Sequence, residues 1–260
     1  MRLAIFLLAP VLALGSCAPP PPAVDPSGNV EIRQASSSLQ TQGLQLFQQY
    51  KQKKTISRNS SYNAQLQRVA TRLRRVVNLP GARWEFVVFE DKTPNAFALP
   101  GGKVGVNSGL FRITRNEAGL ATVVAHEIAH ITSNHAEARV QQGQAVAVGG
   151  LILDAILNSQ GAAEGTRQTA GQIYGTGTKL GAELPFSRVQ ELEADKVGLI
   201  FMAKAGYDPR EAVALWKRFG AYHRQQGGQG SEFLRTHPLD STRIQALEDF
   251  LPVALRHYRP

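Results

Sequence analysis

The chain has 260 residues, 43% of them hydrophobic and 19% charged, with a net charge of +9 at pH 7. This balance excludes a disordered polymer, and residues 31–260 suit one domain at the large end of the usual size range. The single cysteine excludes an internal disulfide, and basic residues scattered over Arg68 to Arg75 and Arg256 to Arg259, with no nucleic-acid motif beside them, argue for an anionic lipid surface over nucleic acid.

Arg2 is the only charge before the apolar run Leu3 to Leu14, which is too short for a membrane span and reads as the core of a signal peptide over residues 1–16. Leu14-Gly15-Ser16-Cys17 then looks like a bacterial lipobox, and lipidation explains why a lone thiol is kept in an exported chain. Ala18 in the next position is similar to lipoproteins sorted to the outer membrane. Residues 17–30, rich in proline, read as an extended tether. The expected location is the periplasmic face of the outer membrane of a Gram-negative bacterium, anchored at Cys17.

Glu31 to Lys53 reads as a helix with a weak, Gln-rich apolar face. Tyr62, Leu66, Val69, Ala70, Leu73, Val76 and Val77 recur with helical period up to the stop at Leu79-Pro80-Gly81. Trp84–Phe89, Pro94–Leu99 and Lys103–Asn107 read as strands, the last two reversing at Pro100-Gly101-Gly102. Pro94 marks a sheet edge, because proline cannot donate to an inner ladder. Thr114-Arg115-Asn116-Glu117 reads as a capping box, followed by a helix with an apolar stripe at Leu120, Val123, Val124, Ile128 and Ile131. Ser187 reads as the N-cap of a further helix. The sum is an α+β fold, mostly helical, with a small antiparallel sheet.

His126-Glu127-Ile128-Ala129-His130 lies mid-helix. Residues i and i+4 share a helix face, so both imidazoles can reach one zinc ion while Glu127 can act as base on an attacking water. A hydrolytic zinc needs a third protein ligand and an open position. Glu191 and Asp195 are again i and i+4, whereas Glu193 points elsewhere. Glu191 is the expected third ligand, with one Zn2+ per chain, and Asp195 is placed to accept the free ring N–H of a ligating histidine, His126. A metzincin would need glycine and histidine where Ser133 and Ala136 stand, and Met202 offers no Met-turn, so that class is excluded. His135 falls on the far side of the helix from His126 and reads as a polar residue at the helix end, near the negative pole of the dipole.

Four ordered stretches resemble the gluzincin peptidases that include HtpX, the CaaX prenyl proteases and the periplasmic lipoproteins BepA and LoiP. They are Asn95-Ala96-Phe97-Ala98-Leu99-Pro100-Gly101-Gly102, His126 to His130, Ser187-Arg188 through Glu191, Ala194-Asp195 and Gly198, and His237-Pro238 with Arg243. The resemblance implies zinc on His126, His130 and Glu191, with Glu127 as catalytic base. It also implies an edge strand, Asn95, Ala96, Phe97 and Ala98, that pairs with an extended substrate; a plain core-covering hairpin carries equal weight. His237 and Arg243 are the candidates for a further oxyanion donor, His237 alternatively for a group that occupies the open metal position in a latent form, or for a structural turn. The Gly- and Ala-rich stretch 141–184 reads as a lid or helical hairpin over the cleft, or as a buried core helix.

Two functions remain open on this reading. One is a zinc endopeptidase of the bacterial envelope acting on misfolded or stalled proteins. The other is a non-catalytic or weakly catalytic assembly factor or chaperone for outer-membrane proteins. Unfolded envelope proteins are the expected substrates, outer-membrane assembly machinery is a candidate partner, the lipid anchor is the membrane contact, and no nucleic acid is expected.

Overall fold

The structure, a computed structural model, describes residues 23–160, 163–166, 168, 187–228 and 231–260. The expected signal peptide, Cys17 and the first part of the tether lie outside the described residues, as does most of 161–186. The helices are α1 (Ser37–Lys53), α2 (Ser60–Val76), α3 (Phe111–Thr114), α4 (Glu117–Thr132), α5 (His135–Ser159), α6 (Arg188–Lys204), α7 (Arg210–Gln225), α8 (Glu232–Thr236) and α9 (Ser241–His257). Three strands, β1 (Glu85–Phe89), β2 (Ala96–Leu99) and β3 (Lys103–Asn107), lie between α2 and α3.

α4 is the axis of the molecule. It packs most extensively on α6 and is also covered by α2, α7 and β2, so its polar face is buried along with its apolar stripe. Its start differs from the expected capping box. Thr114 ends α3, Arg115 adopts a left-handed φ of 64°, and Asn116 is the N-cap, its side chain accepting from the Gly119 N–H. The positive φ at Arg115 breaks the chain between two helices that a Thr-x-x-Glu pattern would join. α6 opens as expected at Ser187, with a capping box closed by Gln190.

The sheet order is β1-β3-β2, with β2 antiparallel to β3 and β1 parallel to it. The expected all-antiparallel sheet is therefore mixed, because the loop after β1 crosses the end of β3 before β2 begins. Gly101 and Gly102 make the β2–β3 reversal with φ of 85° and 86°, a region open to glycine without steric cost. The outer side of β1 is closed by the Ile56–Phe89 bridge, whereas β2 is the other edge of the described sheet.

Residues 23–36 are not a free tether. Ala23, Val24 and Ala35 are buried, Val24 bridges Val30, and the Arg33 N–H donates to the Thr132 carbonyl at the end of α4. The folded body thus begins at least by Ala23, and the helix expected from Glu31 starts only at its Ser36 cap. α5 extends through Ser159, so the first part of the Gly- and Ala-rich stretch is helical. No helix among the described residues is long and apolar enough to cross a membrane.

Gly198 on α6 sits where α6 crosses α4; an added Cβ would lie 3.2 Å from the His126 backbone N and 3.3 Å from its Cα. The absence of a side chain there sets how closely the two helices approach. Gly198→Val should lower unfolding free energy by about 1–3 kcal/mol, read as a lower urea midpoint at unchanged slope. An unaltered midpoint would show slack at the crossing.

Candidate metal centre

Because α4 and α6 cross at Gly198, the ligand faces of both helices meet. His126 Nε2 lies 3.1 Å from His130 Nε2 and 3.5 Å from Glu191 Oε2, and His130 Nε2 lies 3.3 Å from Glu191 Oε1. His237, which caps the C-terminus of α8, adds its Nδ1, 3.3 Å from His126 Nε2 and 2.8 Å from Glu191 Oε1. These four buried residues offer donor atoms that all lie within 4.8 Å of one another. Zinc bonds of about 2.0–2.1 Å in a tetrahedron put donor atoms about 3.3 Å apart, so the set has the dimensions of a zinc site. Its chemistry agrees, since zinc, a borderline ion, takes both imidazole nitrogen and carboxylate oxygen as ligands.

The electrostatics also call for a cation. Burial alone would lower the His126 imidazole, but the contacts with Asp195 and Glu191 outweigh it and raise it to about 9. Burial would raise the Glu191 carboxyl, yet His237 and His126 hold it well below the usual range. His130 is pushed the other way, well below the ordinary imidazole value, chiefly by burial. For Glu127 burial dominates and holds the carboxyl above its ordinary value, despite His237 and His126. Its Oε1 is buried without a hydrogen-bond partner, 3.4 Å from His237 Nε2.

Asp195 lies where the spacing places it, its Oδ1 3.0 Å from His126 Nδ1. Arg243 does not lie where an oxyanion donor would be. Its Nε and Nη2 each stand 2.8 Å from an Asp195 oxygen, its Nη1 donates to the Pro238 carbonyl at 2.9 Å, and its guanidinium lies 4.9 Å from the Trp216 ring centre. Nη1 is also 2.6 Å from Glu191 Oε2, though off the hydrogen-bonding direction. With its donors turned to the back of the ligands, Arg243 braces the site and the His237-Pro238 turn.

Two residues of the site were not assigned to it by spacing. His135 is the first residue of α5, at a positive helix end, and its Nδ1 lies 2.8 Å from His130 Nδ1. Glu193 points away from the donor cluster, as expected, but meets His135 Nε2 at 2.8 Å. Phe233 stacks on His237 with ring centres 4.4 Å apart. The link between His135 and Glu193 spans two elements, so no local period announces it.

β2 runs beside the centre, and the Ala98 backbone N–H donates to Glu127. The space between Ala98, Pro100, His130 and Asn134 is a cavity of about 20 Å³, room for a water and not for a peptide side chain.

Arg243 is buried and sits against two buried carboxylates. Arg243→Ala should cost about 3–5 kcal/mol at neutral pH, the range for breaking one side of a buried pair. In the native chain burial raises the Asp195 carboxyl but Arg243 outweighs it and holds it low, so its stability contribution is full above the ordinary carboxylate range and is lost only as pH falls through the depressed native value. Without the guanidinium, burial prevails, Asp195 takes a proton on folding, and part of the deficit should be recovered as the pH is lowered toward 5. Urea denaturation of both proteins across pH checks this; a deficit independent of pH would refute it.

A model of Peptidase family M48 matches residues 60–251. The mitochondrial metalloendopeptidase OMA1 of Schizosaccharomyces pombe is 38% identical over 187 residues, 72% of this chain and 52% of that protein. OMA1 of Saccharomyces cerevisiae is 35% identical over 185 residues, 69% of this chain and 50% of that protein. The beta-barrel assembly-enhancing protease of Escherichia coli K12 is 33% identical over 170 residues, 62% of this chain and 33% of that protein. The chain thus spans about half the length of the OMA1 relatives and a third of the last. The matched region contains α2, the sheet, the helices that carry His126, His130 and Glu191, and the His237 turn, and the chain belongs to Peptidase family M48.

Proposed function

We propose that the chain is a zinc-dependent endopeptidase of the bacterial envelope that hydrolyses misfolded or stalled proteins. The observation that carries the reading is Glu127, a buried carboxyl kept above its ordinary value beside a zinc-sized cluster of donors. When bound, zinc supplies Lewis-acid polarisation of the scissile carbonyl and acidifies water toward neutral pH. Glu127 takes the proton of the attacking water and returns it to the leaving amine, a role suited to a carboxyl raised toward neutrality. β2 supports the substrate-binding part of the reading. It is the edge of the described sheet, its Ala98 touches Glu127, and the stretch Asn95 to Ala98 presents main chain with which an extended peptide can pair.

His237 supports a latent resting form. It supplies a fourth donor from a turn, not from α4 or α6. In its present place the ring also stands 3.4 Å from Glu127 Oε1 through Nε2, within reach of the alternative role as a donor to the oxyanion.

The lipobox ending at Cys17 and the apolar run before it support anchoring to the periplasmic face of the outer membrane. The kinship with proteins named for beta-barrel assembly supports outer-membrane assembly machinery as a partner. The intact Glu127 favours catalysis over a purely non-catalytic assembly role, which has no need of a base beside a metal.

Glu127→Gln should lower cleavage of casein by at least about 100-fold while zinc content stays the same, and chelation followed by zinc addition should abolish and restore cleavage by the native protein. Equal cleavage by the two proteins would overturn the enzymatic reading. His237→Ala separates its two roles. Faster cleavage with zinc retained supports latency, a loss of about 10²–10³ supports oxyanion donation, and unchanged activity removes both.

A further inference from the structure

We propose that His135 and Glu193 are positioning residues that fix the tautomer of His130, so that its Nε2 presents a lone pair to the metal. The inference rests on the zinc reading of the site and deepens it. Asp195 stands behind His126 in this way, at 3.0 Å from Nδ1. Behind His130, among the described residues, a second imidazole takes that place.

The proton positions follow from one end of the chain. Glu193 Oε2, 2.8 Å from His135 Nε2, is an acceptor, so Nε2 carries the hydrogen. With the ring hydrogen on Nε2, Nδ1 is the nitrogen left to accept. His130 Nδ1, 2.8 Å away, must be the donor of that bond. The hydrogen of neutral His130 is thereby placed on Nδ1, and Nε2 is left bare, facing His126 Nε2 and Glu191 Oε1 at 3.1 and 3.3 Å. His135 is 3% exposed, so water does not compete for its ring.

The far end of the relay is anchored as well. The other oxygen of Glu193 accepts from the Ala23 backbone N–H and lies 3.6 Å from Arg33 Nη1. Arg33 itself donates its backbone N–H to Thr132, the last residue of α4. The segment 23–33 therefore clamps Glu193 to the helix that carries His130, and the relay cannot tilt without moving that segment.

The test uses the full chain with His135→Phe, which keeps a ring but no acceptor, His135→Gln, whose amide oxygen can accept, and Glu193→Gln. In zinc-free protein, ¹⁵N–¹H correlation of the imidazoles should show His130 protonated on Nδ1 in the native chain and a mixed tautomer in His135→Phe. Zinc affinity by chelator competition should fall about 10–100-fold in His135→Phe and recover in part in His135→Gln. A cobalt-substituted spectrum that changes in His135→Phe at an unchanged urea midpoint separates positioning from loss of fold. If His135→Phe does not fold, Glu193→Gln, which can invert the relay by donating to His135, carries the same readouts. A His130 tautomer and zinc affinity unchanged in the variants would overturn the proposal. A native chain that binds no zinc would instead overturn the proposed function, and the tautomer measurement would still decide this one.

Discussion

Charge balance in a dry place is the constraint on which the structure turns. Glu127, Glu191 and Asp195 are all buried in one cluster, with Arg243 as their buried guanidinium. Three carboxylates against one guanidinium leave two negative charges, and burying uncompensated charge costs several kcal/mol per ion. His126 responds by holding a proton up to about 9, and Glu127 by resisting ionisation. A divalent cation removes the imbalance without either adjustment. Donor spacing and charge deficit thus point independently to the same ligand, and the structure around them serves to keep water out and the donors apart by the right distance.

That service falls to helices and not to loops. His126, His130 and Glu191 each stand mid-element or within the first turn of a helix tied by its own cap, Asn116 for α4 and Ser187 for α6. Gly198 lets those helices approach until the rings and the carboxylate meet. Behind the ligands, Arg243 and Asp195 on one side and His135 and Glu193 on the other hold the orientation of each imidazole. Supporting shells of this sort decide affinity as much as the ligands do.

The legible part of this site was the part written in local periods. The i, i+4 spacing of His126 and His130, and again of Glu191 and Asp195, is set by helix geometry alone, so sequence was enough to place all four. Ser187 as a cap and the β2–β3 reversal at Gly101 and Gly102 were legible for the same reason. What escaped depends on contacts between distant segments. His135 read as a helix end because its partner, Glu193, is 58 positions away on another helix. Arg243 can be placed beside Asp195 behind the ligands or as an oxyanion donor on sequence alone, and only the contact across 48 positions shows that Asp195 claims its fork. The parallel pairing of β1 was hidden in a loop that crosses β3, and the cap at Asn116 in a single positive φ at Arg115. Residues 23–30 read as tether because their proline-rich context masks the few apolar side chains that they bury.

The contrast between the helical ligands and His237 has a mechanical consequence. Three donors are borne on packed helices, and their positions are set by the α4–α6 crossing. His237 is held by a turn, by the stack on Phe233 and by the carbonyls that Arg243 grips. The helical donors and the turn donor therefore sit on different parts of the chain, and His237 is the donor whose place is set by contacts outside the α4–α6 crossing.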